Sequence, residues 1–433
     1  MPGLPTADPY LPDHGDPSYS VRHYDLDLVY VPDGNRLRGT AVLSVVVLAE
    51  THRLVLDLAG LAATKLRIDG ARLKKWSARS NRLVLQLDRA VAAGAELTLT
   101  IAYGGSPQPV IDRCHGDAGW EELEDGVIVA AQPHGAPTWF PCNDRPDDKA
   151  TYRIELSAPS GYTVVANGNL AQKRRRASVD TWTYVMDRPM ASYLATVQIG
   201  RYDTTEHAPS LVTIAPPDAD LAGSFDQQPA MMAFFERVFG DYPFDGYAAV
   251  VTDDELEIPL ESQSLSTFGR NFCSTDWSQV RLIAHEMAHQ WFGNAVTLRH
   301  WQDIWLHEGF ACYAEWLWSE ESGGPHTCDG WACHHHERLA DLPQDLVLAD
   351  PGPELMFDDR VYKRGALALH ALRLAVGDES FFGLLKAWAA ERRGASVTTA
   401  ELLEFAGERT GVDVSGLLGP WLFETALPAF PQG

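Results

Sequence analysis

Residues 284–294 read AHEMAHQWFGN and place two histidines and a glutamate in a largely apolar run. His285 and His289 are four residues apart, slightly more than one helical turn, so a helix presents both imidazoles on one side. Two neutral imidazoles at this spacing bind one zinc ion. Glu286 lies about 100° around the helix from His285, where it reaches a water at the metal rather than the metal itself. The pattern predicts a zinc-binding helix; a core helix with a polar edge is the alternative interpretation.

A third metal ligand is expected from the segment WQDIWLHEGFACYAE, which begins at residue 301. This segment places Glu308 at the start of a second helix, 19 residues after His289. Two histidines and one glutamate leave a fourth coordination position open, which is typical of catalytic rather than structural zinc sites. The purely structural interpretation of the helix is therefore disfavoured.

Composition restricts the class of protein. The chain has 433 residues, 45% hydrophobic and 22% charged, which is typical of a folded protein with two or three domains. A net charge of −24 repels nucleic acid and anionic membranes, so neither is expected as a partner. No secretory signal or membrane-spanning run is visible, and the six cysteines are scattered. We therefore expect a cytoplasmic protein with reduced thiols.

Three segments differ in their patterning. Residues 1–18 are rich in proline, aspartate and glycine and are predicted to form a flexible arm. Residues 19–203 contain short alternating runs such as VLSVVVL and LTLTIAY, which predict a β-sandwich or an open β saddle. Residues 204–433 become mainly helical, and Thr398 with Glu401 forms a capping-box signature before the run ELLEFAGE. The fold class is therefore multi-domain, β followed by α/β.

The two metal segments carry a family resemblance. HEMAHQWFGN followed by WQDIWLHEGF resembles the signature of zinc aminopeptidases of the aminopeptidase N type, the gluzincins of peptidase family M1. The resemblance implies one Zn²⁺ per chain, with His285, His289 and Glu308 as ligands and Glu286 as general base. It also implies an N-terminal β saddle domain and a thermolysin-like, mainly helical catalytic domain. The implied activity is hydrolysis of the N-terminal peptide bond of peptides with a free N-terminus.

Further segments extend the resemblance along the chain. AQPHGAPTWFPCNDRPDDKATYRIELSAP is similar to a family segment that lines the site, and Gln132 falls where the family holds the substrate's α-amine. PLESQ stands where the family has its glycine-alanine-methionine-glutamate-asparagine motif, and supplies Glu261 as a second amine-binding residue. VYKRG resembles the family's tyrosine motif, which implies that Tyr362 stabilises the oxyanion. Glu315 and Asp303 are candidates for hydrogen bonds to the zinc-binding histidines.

The sequence departs from the family pattern at several positions. His307 precedes the glutamate ligand where the family usually has asparagine, and acts either as a neutral hydrogen-bonding substitute or as a group that alters the pH profile. Pro259 lies in the strand edge that the family uses for the substrate backbone, and proline has no N–H to donate. The chain continues for only about 70 residues after Tyr362, so we expect a short form that lacks the family's C-terminal helical domain. We expect an open cleft, unless a homo-oligomer or another partner covers it.

Three alternative functions stay open from the sequence. The same metal site suits a zinc endopeptidase or an epoxide-hydrolase-like enzyme, and an inactive fold used for binding is the alternative from a different class. A substrate with an acetylated N-terminus separates an aminopeptidase from the other enzymes, because only an aminopeptidase requires the free amine.

Overall fold

The structure of this chain is a computed structural model, which describes residues 6–112, 114 and 116–430. These residues form 22 β-strands and eight α-helices. The strands are β1 Tyr19–Val31, β2 Arg36–Val47, β3 Thr51–Asp57, β4 Ala62–Asp69, β5 Leu73–Arg79, β6 Arg82–Val91, β7 Glu96–Gly105, β8 Val110–Asp112, β9 Gly116–Leu123, β10 Gly126–Ala130, β11 Ala150–Pro159, β12 Thr163–Ala166, β13 Asn169–Arg175, β14 Val179–Met190, β15 Val197–Gly200, β16 Asp203–Ala208, β17 Leu211–Ala215, β18 Tyr247–Val251, β19 Leu260–Ser262, β20 Leu265–Phe268, β21 Thr297–Leu298 and β22 Ser396–Val397. The helices are α1 Gln228–Phe239, α2 Trp277–Ala288, α3 Trp305–Ser322, α4 Cys328–Ala340, α5 Asp359–Val376, α6 Asp378–Glu391, α7 Thr399–Thr410 and α8 Val414–Phe423.

The first 15 strands build three sheets. A seven-stranded sheet has the order β13-β14-β11-β1-β2-β7-β4, a five-stranded sheet has the order β12-β15-β10-β9-β8, and β3-β6-β5 form a third. Strand β1 alternates as expected for a sheet with one buried face, since Tyr24, Leu26 and Leu28 are buried. The predicted fold class, a β-rich N-terminal part followed by a mainly helical part, is confirmed.

The second part of the chain begins with a mixed sheet of the order β16-β17-β18-β20-β19. Strand β19 lies at its edge and pairs with β20 alone, in antiparallel register. The helices follow, and α7 begins with the predicted capping box, in which Thr398 and Glu401 satisfy each other's backbone N–H groups. The edge strand β19 carries Glu261 and therefore brings it to the same face as the helices of the metal motif.

Of the predicted flexible arm, residues 1–5 lie outside the described residues, and residues 8–18 make hydrogen bonds to distant parts of the chain. The Asp8 carboxylate is buried and accepts a hydrogen bond from the backbone N–H of Trp301 at 2.8 Å. Further along the segment, the N–H of Gly15 donates to Asp57 at 2.8 Å, and Asp16 accepts from the N–H of Val55 at 2.9 Å. These hydrogen bonds hold the segment against both the β-rich part and the helical part. The domain boundaries at residues 18 and 203 stay a prediction.

Helices α3 and α5 cross at a contact between two glycines. A Cβ atom built on Gly309 would lie 2.9 Å from the Cα of Gly365, and one built on Gly365 would lie 2.7 Å from the Cα of Gly309. Both distances are too short for a real side chain, so the two backbones touch directly. Because Glu308 and Tyr362 lie within one helical turn of this contact, the crossing sets how closely these two side chains approach.

Substituting Gly365 with alanine is expected to destabilise the protein. The added methyl group would press against the backbone of Gly309, which cannot rotate away as a side chain could. The free energy of unfolding should therefore fall by about 1–3 kcal/mol despite the better helix propensity of alanine. Chemical denaturation monitored by circular dichroism measures the change. Gly383→Ala in α6 is the matched control, because no atom lies within 4 Å of its added Cβ. Equal stability of the two variants would contradict the close crossing.

Candidate active site

The two histidines and the glutamate of the metal motif come together between α2 and α3. His285 lies in the last turn of α2, His289 caps its C-terminal end, and Glu308 lies in the first turn of α3. Nε2 of His285 is 3.3 Å from Oε2 of Glu308, and Nε2 of His289 is 3.4 Å from the same oxygen. All three side chains are buried. The helical spacing predicted from the sequence therefore places these three residues around one point.

This donor set fits a zinc ion. In a tetrahedral site with metal–ligand bonds of about 2.0–2.1 Å, ligand atoms lie about 3.3–3.4 Å apart. The distances from Glu308 to His285 and His289 match that spacing. Oε2 of the neighbouring Glu286 is buried and has no hydrogen-bond partner among the described residues. A buried carboxylate oxygen without a hydrogen-bond partner lowers the stability of the fold, unless a water at the metal or a substrate donates a hydrogen bond to it.

The outer nitrogen of each histidine has an acceptor that fixes its tautomer. Nδ1 of His285 lies 2.7 Å from Oε1 of Glu315, and Nδ1 of His289 lies 3.1 Å from the carbonyl oxygen of Phe292. A carbonyl and an ionised carboxylate only accept, so Nδ1 carries the proton and the lone pair of Nε2 points towards Glu308. Burial raises the pKa of Glu315, but Arg281, which donates to it at 2.8 Å, and other nearby cations hold that pKa well below its usual range. Nε2 of each histidine is therefore the atom turned towards the point where the three side chains meet.

Replacing Glu315 with glutamine should weaken zinc binding. The amide keeps the shape of the side chain but loses the charge that orients His285, and loss of such an outer partner typically costs about 10–100-fold in metal affinity. Competition with a chromogenic chelator measures the dissociation constant. Glu321→Gln, an exposed position on the same helix, is the control and should bind zinc like the unaltered protein. Equal affinities in the two variants would show that Glu315 does not support the metal site.

Two further predicted residues lie beside the metal triad. The side-chain amide of Gln132 donates to Oε1 of Glu261 at 2.6 Å, although 129 positions separate them in the chain. Glu261, Glu286 and His289 each offer an atom within 4.8 Å of the others. Burial raises the pKa of both carboxyls. With Glu308 alongside, three buried carboxyl groups lie close together and favour a cationic group there.

Tyr362 completes the set of predicted residues. It lies in the first turn of α5, is half-buried, and its ring stacks on His285 with centroids 6.0 Å apart and planes inclined by 21°. Burial raises the pKa of its hydroxyl well above the ordinary value, so the hydroxyl stays protonated and able to donate. The structure thus brings all seven residues of the sequence prediction into one connected site.

Two expectations about the surroundings of the site are resolved by the contacts. Asp303 contacts neither histidine; it accepts from the N–H and hydroxyl of Thr399, the first residue of α7, at 3.0 and 2.6 Å, which makes its predicted role wrong. His307 accepts from the N–H of Leu298 at 2.7 Å through Nε2, and burial lowers its pKa to about 3. It is therefore the neutral hydrogen-bonding substitute. The sequence analysis did not predict that Arg281 pairs with Glu315. The available signal was its position one helical turn before His285, on the same side of the helix.

The histidine- and cysteine-rich segment 326–336 contributes to no candidate metal site among the described residues. Two groups of three side chains there could hold a metal ion, and both include His289. In that segment Thr327 caps α4, Cys328 and His335 are buried, and Cys333 is exposed.

In the described part of the chain, no helix combines the length and apolar character needed to cross a membrane.

Comparison with known proteins gives the class and then the family. A β-rich domain followed by a helical domain with a histidine–histidine–glutamate triad is the architecture of a metallopeptidase, and two family models match it. The Peptidase M1 N-terminal domain matches residues 20–194, and the Peptidase family M1 domain matches residues 224–421. This chain belongs to peptidase family M1.

Individual relatives agree with this assignment. A variant of the M1 zinc metallopeptidase of Deinococcus radiodurans, solved with a Tyr-Ser-Ala substrate, is 30% identical with a TM-score of 0.89, and the match covers 98% of this chain and 99% of that one. Aminopeptidase M1-A of Oryza sativa subsp. japonica is 26% identical over 94% of this chain and 50% of its own length. Aminopeptidase N of Lactococcus lactis subsp. lactis is 28% identical over 70% of this chain and 40% of its own. This chain thus spans about half or less of the length of these two curated relatives.

Proposed function

We propose that this protein is a zinc aminopeptidase, which removes single residues from the free N-terminus of peptides. One observation carries the proposal: the hydrogen-bonded pair of Gln132 and Glu261 lies beside the triad of His285, His289 and Glu308. The triad alone supports hydrolysis at a metal. The neighbouring buried carboxyls add a place for a cation, and the α-amine of a peptide is a cation at neutral pH.

The substrate amine is proposed to bind between Gln132 and Glu261. Charge-assisted hydrogen bonds to a buried carboxylate are roughly twice as strong as neutral ones, and they also fix the direction of the bound chain. Because Glu261 and His289 offer atoms within 4.8 Å of each other, an amine held there is proposed to lie one residue from the metal triad. The first peptide bond is then the one placed for hydrolysis, which limits the product to a single amino acid.

The residues of the chain then divide the chemistry. When bound, zinc supplies Lewis acidity, which lowers the pKa of water and polarises a carbonyl. Glu286 is proposed to take a proton from the attacking water and to deliver it to the leaving amine. Tyr362, whose hydroxyl stays protonated, is proposed to donate a hydrogen bond to the carbonyl oxygen as its negative charge grows. His285 and His289 are proposed to offer Nε2 to the metal, because their outer nitrogens already have acceptors.

A panel of aminoacyl fluorogenic substrates and short peptides tests the proposal. Protein with a measured zinc content should cleave substrates with a free amine, lose that activity with a chelator, and regain it when zinc is added back. Peptides acetylated at the N-terminus should be resistant. Equal cleavage of acetylated and free peptides would favour an endopeptidase, and zinc-loaded protein without any hydrolysis would favour a binding protein.

We also propose a reducing compartment, the cytoplasm, as the location. All six cysteines are free, and three of them, Cys142, Cys312 and Cys328, are buried, which is typical of proteins kept under reducing conditions. The net charge of −24 supports peptides rather than nucleic acid as partners. The open cleft and the homo-oligomer stay predictions.

A further inference from the structure

A lysine of the N-terminal domain inserts into the catalytic domain. Lys149 immediately precedes β11, and its ammonium donates to the carbonyl oxygens of Asn294 at 3.1 Å, Ala295 at 3.1 Å and Ala395 at 3.3 Å. No carboxylate among the described residues pairs with it. The three donors of an ammonium group are thus all used on backbone carbonyls. Burial lowers the pKa of Lys149 to about 7, whereas lysines ordinarily lie at the surface, so these carbonyls are what stabilises its ammonium form here.

The three carbonyls belong to two loops that meet at one junction. Asn294 and Ala295 lie between α2 and β21, whereas Ala395 lies just before β22. The loops also bond to each other, since the N–H of Thr297 donates to Ala395 at 3.1 Å and the N–H of Gly394 donates to Ala295 at 2.8 Å. Strands β21 and β22 continue this pairing in parallel register. Lys149 therefore completes a junction that the two loops form only in part.

The first loop leads directly to the zinc ligand His289. The N–H of Asn294 donates to the carbonyl oxygen of His289 at 3.0 Å, and Nδ1 of His289 bonds to the carbonyl of Phe292 at 3.1 Å. A second side chain of the N-terminal domain supports this loop, because the hydroxyl of Tyr193 donates to the carbonyl of Gly293 at 3.3 Å. The position of the loop thus sets the acceptor that orients the His289 ring.

The junction also leads to the zinc ligand Glu308. Leu298, the last residue of β21, donates its N–H to Nε2 of His307 at 2.7 Å. His307 directly precedes Glu308 and is buried. A shift of β21 would therefore move the residue next to the ligand. Two of the three metal ligands are tied to the junction that Lys149 holds.

We propose that Lys149 is a positioning residue, through which the N-terminal domain sets the geometry and zinc affinity of His289 and Glu308. The inference rests on the proposed zinc site. Without the three hydrogen bonds of the ammonium, the loops keep their mutual pairing but lose their connection to β11. The ligands then sample a wider range of positions, and an unaligned ligand binds metal less tightly.

Lys149→Met tests the inference, because methionine keeps an unbranched apolar stem and removes all three donors. We expect its zinc dissociation constant, measured by chelator competition below the unfolding temperature, to rise about tenfold or more. Lys149→Arg restores donors and should recover part of the affinity. The visible absorption of the cobalt-substituted protein should shift in the methionine variant, since these bands report ligand geometry. Lys65→Met, at an exposed position of the same domain, should match the unaltered protein in both measurements.

An unchanged zinc affinity and an unchanged cobalt spectrum in folded Lys149→Met would overturn the inference. This holds even if the metal-free variant unfolds more easily, because a lysine that only stabilises the fold would lower stability without changing the zinc site. If Lys149→Met does not fold, Lys149→Arg decides. A zinc affinity below that of the Lys65→Met control, with an altered cobalt spectrum, supports the inference. Full affinity with an unaltered spectrum, or an equal loss of affinity in the control, overturns it. Failure of the unaltered protein to bind zinc would instead overturn the proposed function.

Discussion

Zinc-loaded protein in which Glu286 is replaced by glutamine is expected to lose about 10²–10⁴-fold in kcat. Glutamine has the same shape as glutamate but cannot accept the proton of the attacking water. Glu286 lies on α2 between the two histidines, is only 4% exposed, and is not part of the histidine–histidine–glutamate triad proposed to bind zinc. The substitution therefore removes the proposed base and leaves the ligands in place.

Two measurements on the same preparation check this result. Elemental analysis should find zinc at the level of the unaltered protein, and steady-state kinetics should show the loss in kcat. Glu321→Gln serves again as the control for a change of charge at a distant, exposed glutamate. Normal turnover of the zinc-loaded Glu286→Gln variant would exclude this residue as the base and with it the proposed division of roles.

The second large effect is expected at the amine-binding pair. Glu261→Gln replaces the buried carboxylate by a neutral amide of similar shape. A hydrogen bond to a charged group contributes about 1.5–3 kcal/mol. Its loss corresponds to about a 10- to 100-fold decrease in kcat/KM for peptides with a free amine. Acetylated peptides, which carry no cation, should be affected much less, so the preference for the free N-terminus should shrink.

The comparison of free and acetylated versions of one peptide measures this preference. Glu257→Gln is the matched control, because Glu257 is exposed and lies four residues before Glu261 in the same segment. Both variants should retain zinc. A preference that persists unchanged in Glu261→Gln would contradict recognition of the amine by this carboxylate, and would leave Gln132 without its proposed partner.

How far the sequence predicts the site depends on how local each feature is. His285, Glu286 and His289 share one helix, so helix geometry alone predicts their relative directions. Glu315 was predicted by the same reasoning, since it lies two turns beyond Glu308. Gln132 lies in the turn after β10 and Glu261 on the edge strand β19, and only the family resemblance brought them to the site. Their hydrogen bond depends on the packing of two domains, which no local pattern encodes.

The errors have the same physical origin. Asp303 was expected beside a histidine because it is close in sequence to Glu308, but it lies in a short turn before α3, where its carboxylate faces the start of α7. Residues 8–18 have the composition of a loose segment, and composition does not distinguish a loop in solvent from one held by distant partners. The partners of Asp8 and Gly15 lie 293 and 42 positions away.

The contact between Gly309 and Gly365 has a consequence for attempts to alter the enzyme by directed evolution. Because two bare backbones touch at this point, selection has no side chain there to enlarge or trim between the helices that carry Glu308 and Tyr362. Libraries that randomise either glycine are expected to contain mainly destabilised protein. Variation aimed at a new substrate range is better placed on the edge strand around Glu261 and on the loop before it, where Ile258 already faces solvent.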